Sequence, residues 1–270
     1  MTDPIREQVE RGDPITACDV IDAHGHVGPL GAFFSARTDP AGLVAAMDRL
    51  GIRKTAVSSM QSFYSGAASP GNAYTADAVR AWPDRLIGYC AVNGNYPADV
   101  RGDLEHGIDE LGLSHIKLHP GTDGCPIDGR GYADVWPFAN ERGLIVLIHT
   151  WAKGEAPPLK CAAIAERFPR LRMLLGHSGG PDGAEEAVRA AEVPNVYLDT
   201  VLSWRRFGRV EYLIEHAGVE KVLYGSDIPF LDSAPAVGQV AFARLTEAEK
   251  RAVFGGNARR LFGLDGGGAS

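Results

Sequence analysis

The chain has 270 residues, of which 45% are hydrophobic and 23% are charged, the proportions of an ordinary soluble globular protein. Its net charge of −7, without a basic cluster, argues against a nucleic-acid partner. The charged first residues do not resemble a signal peptide, no apolar run could span a membrane, and the four scattered cysteines form no C-x-x-C pair, so we expect a cytoplasmic protein with reduced thiols and no membrane partner.

Short apolar runs alternate with helical patterns along the chain. Strands are predicted over residues 18–26, 54–60, 86–92, 115–119, 144–149, 171–177, 196–200 and 221–227. Helices are predicted over residues 5–11, 39–50, a stretch ending near 82, 99–111, 132–142, 159–168, 183–191, 210–217, 247–254 and 257–262. Eight strands, each followed by helical sequence, predict an α/β protein: a single-domain (β/α)8 TIM barrel.

The predicted barrel covers residues 17–264, between a polar N-terminal extension at 1–16 and a flexible glycine-rich tail at 265–270. The loop after the first strand carries the aromatic pair Phe33 and Phe34. An exposed aromatic pair is a candidate contact in a homo-oligomer.

Polar side chains end several of the otherwise apolar strands, where the active site of such a barrel lies. On the first strand His24 and His26 alternate and therefore face the same side. Two neighbouring imidazoles at the end of a buried strand favour two ligands of one metal ion, with a surface turn as the alternative. Later strands end in residues of the same kind: Lys117 and His119 on the fourth, His149 on the fifth, His177 on the sixth and Asp227 on the eighth.

The loops beyond these strands supply two further candidates for binding a small-molecule substrate. Arg37 follows the first strand and would suit an acidic substrate, whereas a solvated surface position is the plainer interpretation. Trp151 follows the fifth strand and would face an organic substrate, or would pack at the rim of the barrel.

Five segments, in this order and spacing, carry a resemblance to a known family. They are Ile21-Asp22-Ala23-His24-Gly25-His26, His149-Thr150, Leu175-Gly176-His177-Ser178-Gly179-Gly180, Tyr224-Gly225-Ser226-Asp227-Ile228-Pro229 and Gly256-Asn257-Ala258-Arg259-Arg260-Leu261-Phe262. Together they resemble the amidohydrolase superfamily, and more narrowly the amidohydrolase-related branch that includes aminocarboxymuconate semialdehyde decarboxylase.

The resemblance implies a divalent metal, most often zinc, with manganese as a second choice, held by His24, His26, His149 and Asp227. His177 would be either a further ligand or a catalytic group beside a metal-bound water. Asp227 would accept the proton of that water and return it to a leaving group. His177 would then position the water or stabilise an oxyanion.

Lys117 leaves the number of metal ions open. In binuclear members of the superfamily a carboxylated lysine on the fourth strand bridges two metals, and His149 and His177 would then hold the second ion. The alternatives are a free ammonium that binds a substrate carboxylate, and a lysine paired with a nearby acid. We favour the free lysine and one ion. His119 would be a pocket residue that donates to the substrate, or a histidine hydrogen-bonded within its own loop.

The leading functional hypothesis is a metal-dependent hydrolase of a small ester, lactone or amide, acting through a metal-activated water. The alternative is a metal-dependent, non-oxidative decarboxylase, or a hydratase, of a small unsaturated or aromatic carboxylic acid, because the same metal shell serves both reactions in this branch. A third hypothesis, from a different class, is a barrel that binds a ligand without turnover. An intact set of metal-ligating residues argues against it.

Overall fold

The structure, a computed structural model, describes residues 3–29 and 35–264. Eight parallel strands pair in chain order, as the predicted (β/α)8 barrel requires. The strands are β1 (Val20–Val27), β2 (Ile52–Ser59), β3 (Leu86–Ala91), β4 (His115–Leu118), β5 (Ile145–His149), β6 (Arg172–Gly176), β7 (Val196–Asp199) and β8 (Val222–Leu223). The predicted fold class is therefore confirmed.

Helices follow the strands and cover the outside of the barrel. They are α1 (Pro4–Arg11), α2 (Pro40–Leu50), α3 (Gln61–Tyr64), α4 (Ser69–Ala81), α5 (Val100–Glu105), α6 (Pro120–Asp123), α7 (Val135–Arg142), α8 (Pro158–Arg167), α9 (Ala184–Ala190), α10 (Arg209–Ala217), α11 (Ser233–Ala241), α12 (Glu247–Arg251) and α13 (Asn257–Leu261). A π-helical turn follows α5 at His106–Glu110, and another follows α12 at Ala252–Gly256. The sequence analysis missed α11, whose run of small residues lacks a strong apolar period.

The barrel closes between β8 and β1, where regular pairing is sparse. The predicted eighth strand extended to Asp227, but only Val222–Leu223 is regular strand. Beyond it the backbone still bonds β1: the Ala23 amide donates to the carbonyl of Tyr224 at 2.9 Å, and the Asp227 amide donates to the carbonyl of His24 at 2.8 Å. These bonds hold the chain around Asp227 against the histidine pair.

The N-terminal extension packs onto the barrel instead of standing apart from it. Asp3 caps α1 by accepting the Arg6 amide, and Ile5 is fully buried in the main core. The buried Lys250 side chain donates to the Asp3 carboxylate and to the carbonyl of Ala241. Two features expected from the sequence, the Phe33–Phe34 pair and the tail at 265–270, lie outside the described residues.

Two apolar layers support the strands. The larger core lies between the strands and the surrounding helices, and a smaller cluster fills the barrel interior with residues such as Tyr89, Leu147 and Leu174. The strands are buried on both faces, as parallel strands are. None of the helices in the described ranges combines the length and apolarity needed to cross a bilayer.

Candidate metal centre

His24 and His26 lie in a locally irregular part of β1. The pairing of β1 with β2 changes register between Asp22 and Gly25. Gly25 fits here because a Cβ at this position would lie only 2.4 Å from Cγ2 of Thr55. The two imidazoles point to the same side, with ring centroids 5.4 Å apart. The local backbone thus places both rings at the C-terminal end of the barrel.

A buried carboxylate sets the tautomer of His24. Its Nδ1 lies 2.7 Å from Oδ2 of Asp199, a carboxylate at the end of β7 that can only accept a hydrogen from it. Nδ1 therefore carries the proton and Nε2 presents a lone pair. A histidine held by a carboxylate on its far nitrogen is the usual arrangement of a metal ligand.

His26 is oriented in the same manner by a backbone group. Its Nδ1 lies 3.3 Å from the carbonyl oxygen of Ser58, which can only accept a hydrogen, and 3.2 Å from the Ser58 hydroxyl oxygen, which accepts from the same N–H. The Nε2 lone pair then faces Oδ1 of Asp227 at 3.0 Å, and Nε2 of His24 lies 3.3 Å from the same oxygen. Nε2 of His26 and Oδ1 of Asp227 both present lone pairs, and at 3.0 Å apart they can bind one cation together.

His177 approaches the same point from β6. Its ring centroid is 5.0 Å from that of His24, and one ligand atom each of His24, His177 and Asp227 lie within 4.8 Å of one another. Within the described part of the chain, the buried Nδ1 of His177 has no hydrogen-bond partner. A buried imidazole nitrogen without a hydrogen-bond partner, close to a carboxylate, fits a metal ligand.

The charge states suit a divalent cation. Burial lowers the pKa of His177 to about 4 and, with the nearby Lys117 charge, lowers the pKa of His24 well below its ordinary value. Burial alone would raise the pKa of the Asp227 carboxyl, but His24, His177 and His26 together hold it well below its usual range. Neutral imidazoles and an ionised carboxylate are the forms that bind metal.

Lys117 lies inside this cluster and is fully buried. Its Nζ donates to Nε2 of His24 at 2.8 Å. Burial lowers the pKa of the Lys117 ammonium to about 8, against the opposing charges of Asp227 and Asp199. Lys117 points into the barrel, as predicted. Its amine contacts Nε2 of His24, the nitrogen that would bind a metal.

The other predicted residues lie around the cluster. The His149 ring is sandwiched between those of His119, at a centroid distance of 4.0 Å, and Trp151, at 5.4 Å, and it meets His177 edge-on at 4.4 Å. Nδ1 of His119 accepts from the Oγ1 hydroxyl of Thr122 at 2.9 Å, so Nε2 of His119 is left as a donor. Arg37 is exposed in the loop before α2. As a substrate-binding residue it stays a prediction.

Asp199 was missed by the sequence analysis although it follows the same rule as the other site residues. It is a fully buried acid at the C-terminal end of a strand. Its Oδ1 also accepts the amides of His177, at 2.7 Å, and Val201, at 3.1 Å. Burial raises its pKa to about 6. A search for every acid that ends an apolar run would have found it.

Comparison with known proteins finds one matching family and relatives at low sequence identity. A profile of the family described as Amidohydrolase matches residues 21–264. The chain is 21% identical over 198 residues to the decarboxylase orsB of Emericella nidulans, a match that covers 55% of this chain and about 60% of that protein. It is 22% identical over 252 residues to a gamma-resorcylate decarboxylase of a Polaromonas species, covering 72% of this chain and 75% of the relative.

A solved structure shares the fold over nearly its whole length. It is a dihydroxybenzoic acid decarboxylase from Polaromonas with bound manganese and the inhibitor 2-nitroresorcinol. It superposes with a TM-score of 0.71 at 19% identity, covering 92% of this chain and 98% of that one. The manganese belongs to that structure; in this chain the donor group of His24, His177 and Asp227 suits a divalent metal, and zinc in particular is not established.

Proposed function

The chain belongs to the amidohydrolase family, and from that premise we propose that it is a metal-dependent, non-oxidative decarboxylase of a small aromatic carboxylic acid. The observation that carries the proposal is the convergence of His24, His177 and Asp227 at the C-terminal end of the barrel, with His26 alongside. The decarboxylases among the relatives favour this activity over the hydrolase that leads the sequence analysis.

His24, His26, His177 and Asp227 would hold the divalent ion, with His149 as a further ligand. The ion would supply Lewis acidity towards the substrate oxygens. Asp199 and the Ser58 carbonyl hold the two histidines of β1 in the tautomer that leaves Nε2 unprotonated. Burial of His24, His26 and His177, with Asp227 partly exposed, limits their contact with bulk water and strengthens the charge interactions among them.

A substrate with a hydroxyl group beside its carboxylate fits the acid–base groups present. The proton of that hydroxyl passes to a carboxylate oxygen of Asp227, which returns it to the ring carbon that bears the carboxylate. The carbon–carbon bond then breaks, its electron pair restores the aromatic ring as a phenolate, and carbon dioxide leaves. The phenolate takes up a proton from solvent on release. His119, with its Nε2 hydrogen free, donates to the substrate.

The rings around the cluster suit a flat substrate. Phe230 stacks on His26 at a centroid distance of 5.1 Å, and Phe63 lies 5.5 Å from His119. Trp151 and His149 form a parallel stack with an interplanar angle of 2°, and both rings meet His177 edge-on. Aromatic and imidazole faces of this kind pack favourably against a benzoate ring. Lys117 would compensate the negative charge of the substrate carboxylate.

The test is a substrate panel with the manganese-loaded protein. Hydroxybenzoates with the hydroxyl ortho to the carboxylate are compared with their meta isomers, and a lactone and an ester are tested in parallel. We expect release of carbon dioxide from ortho isomers only. Hydrolysis of the lactone or ester without decarboxylation would instead support the hydrolase, and metal-loaded protein inactive on the whole panel would contradict the proposal.

A further inference from the structure

The chain leaves β6 through a turn of unusual backbone conformation. Four consecutive residues have positive φ: His177 at 62°, Ser178 at 44°, Gly179 at 81° and Gly180 at 73°. Left-handed backbone is unfavourable for a residue that carries a Cβ, and two of the four do. Such a turn persists only where its surroundings impose it, and His177 is its first residue.

Residues at the ends of β7 and β5 hold two backbone amides and the Ser178 hydroxyl of the turn. Oδ1 of Asp199 accepts the His177 amide at 2.7 Å, and the backbone carbonyl of Asp199 accepts the Ser178 hydroxyl at 2.6 Å. The Gly179 amide donates to Oγ1 of Thr150 at 2.9 Å. The Gly180 amide donates to the His177 carbonyl and the Ala152 amide to the Gly179 carbonyl, both at 2.9 Å, so among the described residues the Ser178 carbonyl receives no backbone amide.

Arg209, the first residue of α10, donates to the Ser178 carbonyl and to two further carbonyls of this segment. Its side chain is buried, with an exposure of 6%. Nη2 donates to the carbonyls of His177 at 3.2 Å and Ser178 at 2.8 Å, and Nη1 donates to the carbonyl of Pro181 at 3.1 Å. A guanidinium holds five N–H donors in one rigid plane, whereas an ammonium has three donors on a single rotatable group.

From these contacts we propose that Arg209 is a positioning residue, which acts through the turn to aim the His177 ring at the metal-binding point. Arg209 touches neither the metal ligand atoms nor a substrate; its contacts in the turn are with backbone. The inference rests on the metal site of the proposed function and is independent of which reaction the site performs. Loss of the guanidinium should let the turn relax towards ordinary backbone and move His177.

The test measures manganese affinity by electron paramagnetic resonance, and the visible spectrum of the cobalt-loaded protein. The variants are Arg209→Gln and Arg209→Lys, and the matched control is Arg206→Gln, an exposed arginine nearby that pairs with Asp182. For Arg209→Gln we expect about 10- to 100-fold weaker manganese binding and an altered cobalt spectrum, as for other residues that orient ligands. Arg209→Lys should recover part of the affinity, and Arg206→Gln should match the unaltered chain.

Arg209→Gln with wild-type manganese affinity and an unchanged cobalt spectrum would overturn the inference, whatever its thermal stability. If Arg209→Gln does not fold, Arg209→Lys decides, because it keeps the positive charge with fewer donors: wild-type affinity and spectrum in that variant would overturn the inference as well. Failure of the unaltered chain to bind manganese would instead contradict the proposed function, so the two failures are distinguishable.

Discussion

The two ends of the barrel interior hold buried histidines in different surroundings. At one end His115 of β4 packs against the rings of Phe262, at a centroid distance of 5.3 Å, and Tyr89, at 6.3 Å, and its Nδ1 accepts the Ile145 amide at 3.4 Å. At the other end His24 and His177 converge on Asp227. Burial is the main cause of a lowered pKa at both ends, to about 3 for His115 and about 4 for His177.

The difference between the two ends lies in the partners of the histidines. His115 is a core residue whose acceptor nitrogen is already used by a backbone amide. His24 has its proton fixed by Asp199 on one nitrogen, and its other nitrogen accepts from the Lys117 ammonium and lies 3.3 Å from the Asp227 carboxylate. A buried neutral histidine is therefore not in itself a sign of a metal site. Histidine lone pairs that converge beside an ionised carboxylate do indicate a metal site.

The largest effect should come from Asp227→Asn, which keeps the shape of the side chain and removes its charge. We expect loss of metal and a fall in activity of at least about 1000-fold, because the amide is a weak ligand and cannot relay a proton. The matched change at the other end is His115→Gln, which should keep metal and activity. Metal analysis and turnover on folded protein check both, and an active Asp227→Asn enzyme would contradict the assigned role.

The next effect concerns the tautomer of His24. In Asp199→Asn the amide oxygen can still accept the His177 amide, so the amide nitrogen would face Nδ1 of His24 and force the proton onto Nε2. We expect about 10- to 100-fold weaker metal binding, measured by titration. The control is Asp123→Asn, another buried carboxylate that accepts a backbone amide, from Gly94 at 3.1 Å. An equal loss of metal affinity in both variants would show that the tautomer of His24 is not the cause of the loss.

A third effect belongs to the apolar end and depends on pH. The pKa of His115 is about 3 in the folded chain and about 6.5 when unfolded, so below pH 6.5 only the unfolded chain gains this proton. The stability contributed by neutral His115 is therefore lost as the pH falls from 6.5 towards 3, by about 1.4 kcal/mol per pH unit. Urea unfolding should show this additional slope in the unaltered chain relative to His115→Gln. Parallel slopes for the two proteins would refute it.

The smallest effect also belongs to the apolar end. The hydroxyl of Tyr89, fully buried, donates to the carbonyl of Ala23 at 2.9 Å. Tyr89→Phe should lower the free energy of unfolding by about 1 kcal/mol, since one buried hydrogen bond is lost. Because Ala23 precedes His24, metal affinity measured on the same variant shows whether the two ends are independent. A tenfold loss of affinity would show that they are coupled.

The sequence predicted the fold and most of the site because both depend on local patterns. Apolar runs that end in polar residues locate the strands and, in this fold, the catalytic end. Lys117 and Trp151, both named from the sequence, contact His24 and His149, and their role in binding a substrate stays a prediction. The role of Asp199 depends on the distance between β7 and β1, which no local pattern contains. The same holds for the hydrogen bonds of Arg209, whose carbonyl partners lie about thirty residues away in sequence.

The most direct test of the metal centre is the metal content per chain, by elemental analysis of protein purified without chelator and with bicarbonate present. We predict about one divalent ion per chain, and the same content in Lys117→Ala. Two ions per chain, with the metal content halved by Lys117→Ala, would show that Lys117 is a bridging carbamate. That result would favour a hydrolase over a decarboxylase. Folded protein without stoichiometric metal, and without stabilisation by added zinc or manganese, would contradict the account.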